Sequence, residues 1–214
     1  MNLQLCLVLS DRLDSHAAQM YRYEKYGTVW KLIDTHPVVI GKKGITFDKR
    51  EGDGKTPAGI FTFGTVFGFQ ECRLKVPYIK VDEDFECVDD PKSVYYNQFV
   101  NRDTPKDWDS SEKILSIDLY KWGIFVNYNT EQIPYKGSCI FFHLWKDRET
   151  GTAGCTAMEE EKLKKLIFWL DPAKKPLLVQ LPLEEYKKQR EVLGFPELFF
   201  CSLTDAENKD EESQ

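Results

Sequence analysis

No apolar run in this chain approaches the roughly 20 residues that a helix needs to cross a bilayer, so no transmembrane segment is expected. There is no excess of positive charge either. Lys and Arg number 29 against 35 Asp and Glu, a formal net charge of −6. A nucleic-acid binder needs a basic face for phosphate contacts, so that class is excluded. A substrate carrying free amines is not. The N-terminus lacks the basic start of a signal peptide, and residues 3–9 read instead as a buried strand. Either the chain is not exported by that route or a leader has been removed. No Cys-x-x-Cys pair occurs among the six cysteines (6, 72, 87, 139, 155 and 201), which argues against zinc knuckles and thioredoxin-type redox motifs. Histidine is scarce, and no carboxylate stands at ligand spacing beside His143, so neither a metal nor another cofactor is expected. His16 and His36 read as surface or packing residues. The glycines at 52, 54 and 59 do not fit a phosphate-loop pattern, and with Pro57 they read as a tight turn into a strand.

The 214 residues are 42% hydrophobic and 14% aromatic, enough for one well-buried core. A single domain over 1–203 is expected, with 82–113 as a long loop or lid and 204–214 as a disordered acidic tail. Six scattered cysteines are no dense disulfide framework. Cys6 and Cys139 sit in apolar runs and read as small packed hydrophobes. One bridge, for example Cys72 with Cys87, is compatible with the sequence. Strands are expected over 3–9, 29–33, 38–40, 60–63, 114–120, 124–128, 139–145 and 177–181. Residues 121–123 read as a turn. A helix is expected to follow Cys155, opened by a Thr156/Glu159 capping box and burying Leu163, Leu166, Ile167 and Leu170. Asp171-Pro172 stops it. A last helix over 183–193 ends at Gly194. The fold class is mainly β with short, late helices.

His143 closes an apolar strand-like run, and Cys155 follows a glycine at the expected helix start. A cysteine attacks as its thiolate and needs help to ionise near neutral pH. The helix dipole would favour that anion, and His143 could accept the proton. The N–H groups of Gly154 and Cys155 could approach a developing oxyanion. A lone cysteine is usually a packed thiol and a lone histidine a satisfied rim residue. The two together, with a glycine between them, favour a Cys/His site.

The segment GSCIFFH (137–143) followed by TAGC (152–155) resembles the signature of L,D-transpeptidases of the YkuD (ErfK/YbiS) type. KREGDGKTPAGIF (49–61) and DDPKSVYYN (89–97) resemble two further blocks of one branch, so the similarity spans roughly 3–181. Ala153 stands where many members carry a second histidine, and Ala157 where many carry Asn or Arg. The resemblance implies a β-sandwich-like catalytic domain acting on peptidoglycan stem peptides. Cys155 would attack the third residue's carbonyl, the terminal D-alanine would leave protonated by His143, and a thioester would remain. A second stem's amine would then complete a 3→3 cross-link. A backbone carbonyl orients the histidine in the family, and Leu144 supplies the candidate here. The expected catalytic residues are Cys155, His143 and Gly154. Thr152, Ala153, Tyr96 and Asp89 or Asp90 are candidate substrate contacts, the carboxylates for a diamino-acid ammonium, against a solvated turn opened by Asp90-Pro91. The alternatives are an L,D-carboxypeptidase or amidase and a silent envelope-binding module. A monomer in the periplasm or cell envelope is expected from the substrate.

Overall fold

The computed structural model describes residues 2–198. The acidic tail expected from 204 onward, and Cys201, lie outside the described residues. Fourteen strands occur in chain order: β1 Gln4–Ser10, β2 Ala17–Tyr26, β3 Val29–Val39, β4 Ile45–Thr46, β5 Thr56–Pro57, β6 Gly59–Gly68, β7 Tyr78–Lys80, β8 Glu86–Val88, β9 Phe99–Val100, β10 Ser111–Lys113, β11 Trp122–Val126, β12 Phe141–Leu144, β13 Thr156–Met158 and β14 Leu177–Pro182. Two helices come late, α1 Glu160–Trp169 and α2 Leu183–Leu193. The mainly β class with late helices is what the structure has.

The large sheet runs β11-β12-β13-β3-β2-β1-β14-β6-β7. β11 also pairs with β6, so the sheet curls until its ends meet. Closure removes most free edges. One face packs α1 through Leu163, Leu166, Ile167 and Leu170, the stripe expected from sequence, against Phe142, Leu144 and Met158. The opposite face of β12 carries Phe141 into a second cluster with Phe67, Phe85 and Tyr120. Gly123 in β11 admits the Phe67 ring, since a Cβ there would lie 2.1 Å from it.

Several expectations are corrected. Residues 114–120 form two short 3-10 turns, Ile114–Ser116 and Asp118–Tyr120, rather than a strand. Trp122 and Gly123 belong to β11 and not to a turn. The segments at 29–33 and 38–39 belong to one long strand, β3, and Ile40 lies just past its end. The long connection at 82–113 holds a separate three-stranded sheet in the order β10-β8-β9. Cys139 is no packed free thiol, and Cys72 is unbridged. The disulfide joins Cys87 to Cys139 and so ties the small sheet to the residues entering β12. Asn97 reinforces this tie. Its Oδ1 accepts the Cys139 N–H at 2.9 Å, and its Nδ2 donates to the Tyr128 and Asn129 carbonyls.

Candidate active site

β12 and β13 run parallel, with Phe142 opposite Thr156 and His143 opposite Ala157. Side chains alternate along a strand. Phe141, His143 and Ala157 therefore share one face, and Cys155, one residue before β13, continues that set. The hydrogen bonds agree. The Phe141 N–H donates to Cys155 Sγ at 3.3 Å, and the thiol donates to the Cys139 carbonyl at 3.4 Å. Cys155 and His143 are thus near neighbours on the face covered by the small sheet. They are only 6% and 7% exposed.

His143 Nδ1 lies 2.7 Å from the carbonyl oxygen of its neighbour Leu144. That contact assigns the Nδ1–H tautomer and leaves Nε2 unprotonated, able to accept a proton. Burial lowers the imidazole pKa to about 4. Burial, and then the Glu112 carboxylate, push the Cys155 thiol well above its usual range. The Phe141 N–H and the Lys49 ammonium pull it the other way. Both shifts favour the neutral forms, thiol and imidazole.

This changes the expected source of activation. Thr156 does not cap a helix. It begins β13, and its hydroxyl donates to Gln180 Oε1 at 2.6 Å. Helix α1 opens only at Glu160, and Glu159 makes no side-chain cap. β13 thus separates Cys155 from the start of α1. The nearby positive group is Lys49, whose buried Nζ is held by Asp53 Oδ1 at 2.6 Å and the Arg50 carbonyl at 2.9 Å.

The strand-to-strand loop is braced from behind. Thr56 Oγ1 accepts the Gly41 N–H at 2.8 Å. The same hydroxyl donates to the Gly154 carbonyl at 2.8 Å, with the Cys155 carbonyl at 3.2 Å. Thr152 Oγ1 donates to the Cys155 carbonyl at 2.7 Å and accepts the Gly154 N–H at 3.1 Å. The Gly154 amide is therefore committed within the loop, contrary to its expected place as an oxyanion donor. Gly154 keeps the approach tight, because a Cβ there would lie 3.0 Å from the Lys55 carbonyl.

The candidate substrate contacts divide by placement. Ala153 is exposed, two residues before Cys155. Tyr96 is buried, donating to Glu51 and accepting the Gly137 N–H at 3.0 Å. Both Asp90 oxygens accept backbone N–H groups, from Lys92 and Asp109 at 2.9 Å each, which holds its carboxyl below the usual range. Asp90 therefore ties the loop together. Asp89 accepts from Ser110 Oγ at 2.5 Å and lies near enough to Glu112 and Tyr120 to perturb both. Glu112 and Tyr120 were not legible as site residues, because Glu112 falls in a polar stretch and Tyr120 in an apolar one. Thr56 and Lys49 lie within a block carrying the family resemblance, but nothing in the sequence pairs them with Cys155.

The L,D-transpeptidase catalytic domain (YkuD) family matches residues 13–179. No curated protein matches the chain. Among solved structures, the Bdellovibrio bacteriovorus protein Bd1075 is similar at 16% identity and a TM-score of 0.47, over 90% of this chain and 54% of that one. The chain thus spans about half the length of that protein. With 13–179 matched, the chain belongs to the L,D-transpeptidase catalytic domain family.

Proposed function

We propose that the chain catalyses cysteine-dependent acyl transfer on peptidoglycan stem peptides, with Cys155 as nucleophile and His143 as the base and acid. The observation that carries this is the orientation of His143. Its Nδ1 is engaged by the Leu144 carbonyl, so Nε2 is left to act on the sheet face that bears Cys155. A neutral pair ionises during attack. His143 Nε2 takes the thiol proton as sulfur closes on the carbonyl carbon of the stem's third residue. The same proton passes to the departing D-alanine nitrogen, leaving a thioester. The side-chain amine of a second stem, deprotonated by His143, then attacks the thioester and forms the 3→3 cross-link. With the Gly154 amide occupied, the Cys155 N–H is the expected oxyanion donor.

One further observation supports part of this reading. A disulfide between Cys87 and Cys139 suits an oxidising compartment, which agrees with action at the envelope. Among the described residues no helix is long and apolar enough to cross a membrane. The experiment is product analysis after incubation with tetrapeptide stems. A linked dimer formed by wild type and not by Cys155→Ala is the expected result. Tripeptide alone would make the enzyme an L,D-carboxypeptidase, and no product would leave a binding module.

A further inference from the structure

Glu112 lies on β10, opposite Cys87 in the small sheet that covers the active face. Its Oε2 accepts the Tyr120 hydroxyl at 2.5 Å, and its Oε1 takes no hydrogen bond from the described residues. The buried Tyr120 ring sits edge-on to the His143 imidazole, with centroids 5.0 Å apart, and edge-on to Phe141 at 5.5 Å. A chain of contacts therefore runs from the covering sheet, through one hydroxyl and one ring, to the base.

We propose that Glu112 is a positioning residue for the His143–Cys155 pair, acting through the hydroxyl and ring of Tyr120. The proposal rests on Cys155 being the nucleophile of the acyl-transfer reading. A ring 5.0 Å from the imidazole restricts its tilt, and so the direction in which Nε2 presents its lone pair. The carboxylate stops the phenol from turning away. It also places a negative charge where it opposes thiolate formation. The other ionisable groups that act on it are the Tyr120 hydroxyl, Asp89 at the end of β8 and Glu51 from the turn before β5, while Lys49 opposes its charge at the sulfur. Burial raises the Glu112 carboxyl to about 7, the Tyr120 hydrogen bond pulls it back, and the Asp89 and Glu51 charges add to the rise.

The test uses Glu112→Gln and Tyr120→Phe in the full chain. Gln removes the charge and keeps an acceptor for the phenol. Phe removes the tether and keeps the ring. Alkylation of Cys155 by iodoacetamide is followed by peptide mass from about pH 6 to about pH 9, alongside kcat and KM on tetrapeptide stems. Glu112→Gln is expected to leave the alkylation rate close to wild type at about pH 6 and to raise it by about tenfold at about pH 9, where the wild-type carboxyl carries its charge, the effect of removing one neighbouring like charge. Tyr120→Phe is expected to lower kcat about tenfold with KM unchanged, as the base loses its alignment. An unmoved alkylation profile in Glu112→Gln, or wild-type kcat in Tyr120→Phe, overturns the proposal. If wild type turns over no stem peptide, the acyl-transfer reading fails, and the alkylation profile still reports on Glu112.

Discussion

Breaking the Cys87–Cys139 bridge perturbs the fold where it covers the face that carries His143 and Cys155. The bridge spans a sequence separation of 52 residues, and that span contains β9, β10, Glu112, Tyr120 and all of β11. Closing a loop of this size in the unfolded chain is worth about 4 kcal/mol on the chain-entropy model. That model sets the upper end, because Asn97 and the Phe67–Phe99–Phe141 rings hold the same region without the bridge. The perturbation is Cys87→Ser with Cys139→Ser, compared with oxidised wild type. For a domain of this length 4 kcal/mol corresponds to a melting shift of roughly 10 °C. The assay is urea unfolding followed by tryptophan fluorescence, with a non-reducing digest to show the bridged peptide in wild type. Loosening the cover should also speed alkylation of Cys155, which is 6% exposed in the closed form. A double variant that unfolds within about 1 kcal/mol of bridged wild type, with Cys155 no more reactive, would refute the role given to the bridge in holding the small sheet over Cys155.

Three further outcomes follow from the geometry. Thr56→Val removes a buried hydroxyl that bonds the Gly41 N–H and the Gly154 carbonyl, and should cost roughly 1–3 kcal/mol in urea unfolding while also lowering kcat. Asp90→Asn should leave KM for stem peptides unchanged and destabilise the loop, because both carboxylate oxygens are spent on backbone N–H groups; a large rise in KM would return Asp90 to the substrate site. The third concerns pH. His143 falls from 6.5 to about 4 on folding, so its contribution to stability is present above 6.5 and lost as pH drops through 4. Glu112 rises from 4.5 to about 7, so its contribution is present below 4.5 and lost as pH climbs through 7. The two slopes oppose each other in the window they share, and wild-type stability should be nearly flat there. In Glu112→Gln the His143 slope should emerge as a loss of up to about 3 kcal/mol on acidification, read by urea unfolding at several pH values.

The parts of the fold legible in sequence are those with simple periodicity. The stripe in α1 and the apolar runs of β1, β12 and β14 are read directly. β2 is not, because Arg22 faces inward and is satisfied by Asp34 on β3 and the Lys165 carbonyl, a pairing invisible along the chain. The Thr156/Glu159 pattern matches a capping box in letters, but pairing with β12 claims residues 156–158 for the sheet. At the site, His143 and Cys155 were legible because a motif joins them. Thr56, Glu112 and Tyr120 were not, since each reaches the motif only through tertiary contacts across β5, β10 and a 3-10 turn. The Cys87–Cys139 pairing is likewise a product of topology, as β8 packs over the entry to β12.

The central claim is that the buried Cys155 thiol becomes the acyl acceptor when His143 takes its proton. Intact-protein mass measurement after incubation with a carbapenem tests it most directly, because the ring-opened drug stays on the sulfur as a thioester. The account predicts one covalent adduct on wild type, none on Cys155→Ala, and strongly slowed formation on His143→Ala. An adduct that persists on Cys155→Ala, or wild type that remains unmodified while Cys155 still reacts with iodoacetamide, would contradict it.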